Sequence, residues 1–193
     1  MRKGKIERKT RETEIKIEVD LEGKGNYKIE TNYGFLTHML ELFSRFSGID
    51  IKLEAKGDIE VDTHHLVEDT GICLGQAIKE ALGDKKGIRR YGFSSMPMDE
   101  TLVNVSLDIS GRPFLVFNVP DFGSKDNSLK ISDVKEFFKA FVNHSGITLH
   151  INFVYGENLH HINEAIFKGV AFALKEAVKI EGKSLPSTKG KID

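Results

Sequence analysis

The sequence is written twice. His64-His65-Leu66-Val67-Glu68 opens a segment that runs to Ala77-Ile78-Lys79-Glu80-Ala81-Leu82. His160-His161-Ile162-Asn163-Glu164 opens another that runs to Ala173-Leu174-Lys175-Glu176-Ala177-Val178, and the two align without a gap. Upstream, Phe46-Ser47-Gly48-Ile49 returns as His144-Ser145-Gly146-Ile147. Further upstream, Glu12-Thr13 with Asp20-Leu21 and Gly23 returns as Glu100-Thr101 with Asp108-Ile109 and Gly111. Blocks that keep their order in both copies mark two homologous halves, 1–86 and 87–193, together forming one compact domain. The fold must then be one unit built twice and packed on itself.

Each half reads the same way. Residues 12–21 alternate apolar and polar, as a half-buried strand does. A Gly-containing turn at 22–25 leads to a second strand at 26–31, which predicts a hairpin. Residues 34–46 place Phe35, Leu36, Met39, Leu40, Leu42 and Phe43 on an amphipathic helix ended by Gly48. Alternation resumes at 49–56. Asp62-Thr63 then supplies an N-cap for a helix over 64–82, stopped by Gly83. The second half repeats this with strands at 100–109 and 114–119, a helix at 132–144, a strand at 147–155 and a helix at 159–180. The class is α+β, not an alternating parallel sheet. Residues 120–130 read as a polar loop, and the Gly/Lys-rich tail at 181–193 reads, by itself, as a disordered end.

Composition removes several functions. Lys and Arg number 28 against 29 Asp and Glu, a net charge of -1, so no global field draws nucleic acid. Cys73 stands alone, so an intrachain disulfide is impossible and nothing points to an oxidising compartment. No apolar run approaches the roughly 20 residues that cross a bilayer. The basic start, Met1-Arg2-Lys3-Gly4-Lys5, lacks the apolar stretch of a signal peptide, and the expected location is the cytoplasm.

The repeated motif carries chemistry. On a helix, His64 and Glu68 are i,i+4 neighbours, and His65 and Glu68 are i,i+3 neighbours. Adjacent histidines diverge by roughly 100°, so one pair cannot easily serve one metal. The economical reading is two metal centres, each collecting ligands from several elements. A single such motif is usually a polar surface turn, where Glu near the helix start favours the helix dipole. Two copies that keep His, His and Glu while their surroundings diverge point to ligands. Imidazole and carboxylate without thiolate suit Mn, Fe, Ni or Zn better than Mg or Ca. Cys73, mid-helix, is more naturally a packed side chain. His38 stands on the first helix, and its counterpart, counted back from Ser47 and Ser145, is Glu136.

These residues, with others, resemble a known family over essentially the whole chain. The stretches are Arg11-Glu12-Thr13, His38-Met39-Leu40, Gly57-Asp58, Asp62-Thr63-His64-His65 and Glu68-Asp69. They continue as Gly87-Ile88-Arg89-Arg90-Tyr91-Gly92, Met98-Asp99-Glu100, Ser106-Leu107-Asp108, Ser110-Gly111-Arg112-Pro113 and Thr148-Leu149-His150. They end with His160-His161, Glu164-Ala165 and Ser187-Thr188-Lys189-Gly190. The chain is similar to imidazoleglycerol-phosphate dehydratases of histidine biosynthesis. The resemblance implies two manganese ions per active site holding the substrate's imidazole ring. It implies four helices sandwiched between two four-stranded sheets, and a 24-subunit shell with active sites at subunit interfaces. The implied metal ligands are His38, His64, His65, Glu68, His160, His161 and Glu164. The family usually has histidine where this chain has Glu136, so the eighth ligand is an oxygen or one centre has altered coordination. Glu12 is the implied base, with Asp99 and Glu100 as second candidates and Lys168 placed to assist the leaving hydroxyl. Arg90, Arg112, Ser187, Thr188 and Lys189 are the implied phosphate contacts, which turns the tail into a segment that orders over phosphate.

The implied reaction makes sense from below. It removes water from a glycerol chain with no carbonyl next to the departing hydrogen. The ring must be the electron sink. Metals on ring nitrogens favour imidazolate, which expels the side-chain hydroxyl to a diazafulvene-like intermediate. Loss of a proton then gives an enol and its keto form. A two-metal phosphoester hydrolase and a non-catalytic, metal-stabilised assembly protein are the rival readings.

Overall fold

The computed structural model describes residues 2–123 and 128–192, so residues 124–127 of the expected 120–130 loop lie outside the described residues. The first half contains β1 (Lys3–Lys9), β2 (Thr13–Asp20), β3 (Tyr27–Thr31), α1 (Gly34–Ser47), β4 (Asp50–Gly57) and α2 (Thr63–Leu82). The second contains β5 (Tyr91–Met98), β6 (Thr101–Asp108), β7 (Phe114–Asn118), α3 (Ile131–Ser145), β8 (Thr148–Tyr155) and α4 (Leu159–Ala177). Each half forms its own four-stranded sheet, in the order β1-β2-β4-β3 and β5-β6-β8-β7. The α+β class and the duplicated half-domains follow directly.

The expected hairpin between 12–21 and 26–31 is not there. β4 lies between β2 and β3, and β3 runs parallel to β4, with Ile29 opposite Leu53. The turn after β2 launches a strand that reaches β4 only through the α1 crossover, a connection whose hand is fixed by strand twist. The true hairpin partner of β2 is β1, with Ile6 opposite Ile17. β6 likewise pairs with β5, and β7 is parallel to β8. The last helix ends at Ala177, earlier than expected, because Ile180 leaves to bridge Ile88.

The helices occupy the space between the sheets and pack across the halves. α1 lies on α4, and α2 lies on α3. Phe43, Phe137, Phe138, Phe141 and Phe167 fill the centre and are fully buried. Gly71 and Gly75 let α2 approach α3. A Cβ at these positions would stand 2.4 Å from the Phe137 carbonyl oxygen and 2.5 Å from that of Phe141. This cross-packing positions the site, because ligands from one half can meet those of the other only where their helices touch. No helix among the described residues is long and apolar enough to cross a membrane.

Candidate metal centre

Capping fixes where each histidine pair begins. The Asp62 carboxylate accepts from the His64 N–H at 3.0 Å. Asn158 Oδ1 accepts from the N–H groups of His160 at 2.9 Å and His161 at 3.4 Å. Both pairs therefore sit in a first helical turn, where side chains splay. The paired ring centroids are 6.2 Å and 6.3 Å apart, with interplanar angles of 75° and 82°. Adjacent rings face different ways, as the helical spacing requires.

The first histidine of each pair turns toward its own glutamate. His64 Nε2 is 3.1 Å from Glu68 Oε2, and His160 Nε2 is 2.9 Å from Glu164 Oε1. The second histidine turns elsewhere. His65 Nδ1 lies 3.0 Å from Asp58 Oδ1, and His161 Nδ1 lies 2.7 Å from Glu100 Oε2. His65 thus does not join Glu68, despite the i,i+3 spacing that predicted a shared face. Its hydrogen bond to Asp58 raises its pKa, burial opposes the rise, and the negative charge of Glu12 adds to it.

Across the contact between the halves, His38 of α1 brings Nε2 to 3.1 Å from Glu164 Oε1. Ligand atoms of His38, His160 and Glu164 all lie within 4.8 Å of one another. Two ring nitrogens thus converge on one carboxylate oxygen. The other oxygen, Oε2, holds the Lys168 ammonium at 2.5 Å, and both of these side chains are largely buried. Burial works against ionisation of Glu164, but hydrogen bonds from Lys168, His38 and His160 outweigh it and hold the carboxyl down at about 2. An ionised carboxylate flanked by two imidazoles is a nitrogen-rich donor set that fits a borderline divalent ion. Three protein ligands leave coordination positions open.

The corresponding groups of the other half are less tightly gathered. Glu136, on α3, pairs with Lys139 at 2.8 Å. Lys139 also feels the charge of Glu68 on α2, which packs against α3.

The carboxylates named as bases are in very different states. Glu12 is exposed at the start of β2, and its carboxylate makes no hydrogen bond to a described residue. Asp99 is exposed in the β5–β6 turn, with φ +47°, and Oδ2 stands 3.7 Å from His161 Nε2. Glu100 is fully engaged. One oxygen accepts from Thr101 and from the backbone N–H groups of Glu157 and Asn158, and the other holds His161. The His161 hydrogen bond, followed by that of the Asn158 N–H, keeps this acid well below the usual carboxylate range. Its engagement removes Glu100 from the set of free bases. Cys73, with a thiol pushed up to about 12 by burial, is inert.

All the expected phosphate contacts line one cavity of about 220 Å³. Arg90, Arg112, Ser187, Thr188 and Lys189 are joined there by Tyr91, Ser110 and Lys191, which sequence reasoning missed. Arg90 is already fastened. It forks onto Asp108 at 2.7 and 3.1 Å and donates to the Pro186 carbonyl at 2.9 Å. Three of its five donors thus tie the tail to the second sheet. The tail closes on itself through Ser187, whose hydroxyl donates to the Lys191 carbonyl and accepts from the Lys189 N–H.

Comparison with known proteins points to one family. A family model described as imidazoleglycerol-phosphate dehydratase matches residues 31–174. A protein of that name from Thermodesulfovibrio yellowstonii is 56% identical over 192 residues, covering 100% of both chains. One from Cereibacter sphaeroides is 52% identical, covering 98% of this chain and 99% of its own. The crystal structure of imidazoleglycerol-phosphate dehydratase from Staphylococcus aureus superposes with a TM-score of 0.83 at 40% identity, over 92% of this chain and 99% of the other. The enzyme from Pyrococcus furiosus gives 0.84 at 39% identity, over 96% and 99%.

Proposed function

The chain belongs to the imidazoleglycerol-phosphate dehydratase family, and on that footing we propose that it removes water from imidazoleglycerol phosphate to give imidazole acetol phosphate. The reaction is a step of histidine biosynthesis in the cytoplasm, and two manganese ions serve each active site. The observation that carries this reading is the meeting of His38, His160 and Glu164 from opposite halves of the fold. His64, Glu68 and Glu136 form the matching set of the other half, and His65 and His161 are the remaining ligands. Held by these residues, a divalent metal would supply Lewis acidity that stabilises negative charge on the substrate's azole.

The chain's own residues supply the rest. Glu12 is the base that removes the side-chain proton, and Asp99, beside His161, faces the same chemistry. Lys168 keeps Glu164 ionised and stands ready to donate toward the departing hydroxyl. The cavity around Arg112, Ser187, Thr188 and Lys189 takes the phosphate through charge and hydroxyl donors.

One chain cannot do this alone. His160 opens α4, whereas Arg90 donates its backbone N–H to Ala177 at the far end of that helix. At 1.5 Å per residue the two ends are roughly 25 Å apart. An azole with a three-carbon phosphorylated chain falls far short of that span. The metal ligands of one copy therefore work with the phosphate cavity of another, and the enzyme is a homo-oligomer, the 24-subunit shell of the family. The outer face of the second sheet supports this, since it exposes Tyr91, Phe93 and Phe114.

Incubating manganese-loaded protein with imidazoleglycerol phosphate should yield a keto phosphate. Release of inorganic phosphate without it would mark a two-metal hydrolase, and a loaded shell with no turnover would mark an assembly protein. Anomalous scattering at the manganese edge should place a Glu136 oxygen in the coordination sphere of one ion. A Glu136 side chain bound to Lys139 alone would refute its role as ligand.

A further inference from the structure

Glu12 and Glu100 are equivalent positions of the two halves, yet they have different partners. Glu100 Oε2 faces His161 Nδ1, and Glu100 Oε1 receives the backbone N–H groups of Glu157 and Asn158 at 3.2 and 3.0 Å. Asn158 is in turn the cap that holds the first turn of α4. In the first half, the position equivalent to Glu100 is Glu12, and it leaves His65 to Asp58.

We propose that Glu100 and Asp58 are positioning residues that fix His161 and His65 as the Nδ1–H tautomer and so present Nε2 as the metal-binding atom. An ionised carboxylate offers only acceptors, so the ring nitrogen facing it must carry the proton. In the neutral ring the opposite nitrogen is then left with a lone pair. A carboxylate behind a ligating imidazole fixes both its tautomer and its orientation. The inference rests on His65 and His161 being metal ligands, as the proposed function has it.

The two carboxylates differ in a way that makes the idea testable. In a Glu100→Gln variant, the amide oxygen is committed to the N–H groups of Glu157 and Asn158. Its NH2 group must then face His161 Nδ1, which draws the ring proton to Nε2 and blocks the ligand atom. Asp58 has no such second commitment among the described residues. In Asp58→Asn the amide turns its oxygen toward His65, and the tautomer survives. Free Mn2+ measured by electron paramagnetic resonance during titration of the whole protein reads the outcome. Glu100→Gln should weaken one class of sites by about 10–100-fold, whereas Asp58→Asn should stay within threefold of the parent. Parent-like binding by Glu100→Gln would overturn the proposal, because a residue that merely staples the 157–158 turn keeps that function as glutamine. A His161→Ala variant that binds like the parent would instead overturn the metal reading, and this proposal with it. Ring 15N shifts of histidine-labelled, metal-free parent protein test the tautomer without any variant. An Nε2–H form at His161 would sink the idea.

Discussion

Replacing Glu164 by glutamine should lower turnover by at least about 10³, a loss of some 4 kcal/mol of transition-state stabilisation, and reduce the manganese held per chain. The substitution keeps the volume but removes the charge on which His38, His160 and Lys168 converge. The Lys168 ammonium, with a side chain only 13% exposed, is then left without its counter-charge. Breaking a buried pair from one side costs about 3 kcal/mol, so the metal-free variant should also melt lower. The acid limb of stability separates this contribution from others. In the folded chain the Glu164 carboxyl is lowered from 4.5 to about 2. A depressed acid contributes stability that is present above its unfolded pKa and is lost as pH falls through the folded one. The stability difference between parent and Glu164→Gln should therefore be full above about pH 5 and should shrink as pH falls toward 2. Denaturant unfolding of metal-free protein across that range checks it. Full metal content and parent-like turnover would refute the role of Glu164 as a ligand.

Much of this was legible because the chain repeats itself, and the illegible parts share a cause. Strands such as β2 carry their burial in the alternation of Thr13, Ile15, Ile17 and Val19. β1 and β5 carry no such signal. Their inward positions include Gly4 and Gly92, where a Cβ would strike the Ala77 and Ala173 carbonyls of the helices behind them. A glycine chosen for close approach looks like a turn in a sequence read alone. The misplaced hairpin has a related origin, since local turn chemistry says that a chain reverses but not which strand it joins. At the site, helical spacing showed that paired histidines diverge. It could not show that His65 would meet Asp58, or His161 meet Glu100, because those partners come from separate elements. The repeat nevertheless marked Glu12 and Glu100 as equivalents, and only the geometry separates them.

That separation gives the second large effect. Glu12→Gln should lower kcat by about 10²–10⁴, the usual worth of a positioned general base, with KM, metal content and melting temperature unchanged. Stability should hold because the Glu12 side chain is exposed and makes no hydrogen bond to a described residue. Its equivalent, Glu100, cannot serve, since both oxygens are occupied and its carboxyl is held strongly acidic. On the proposed reading, the two equivalent positions carry two tasks. Asp58 takes over the His65 contact in the first half, and the carboxylate of Glu12 stays free to accept a proton. Kinetics of Glu12→Gln and Asp99→Asn, measured side by side at fixed manganese, decide between the two exposed acids. A Glu12→Gln enzyme within threefold of the parent, beside a crippled Asp99→Asn, would move the base to the β5–β6 turn. A fall confined to Glu12→Gln would fix it at the start of β2.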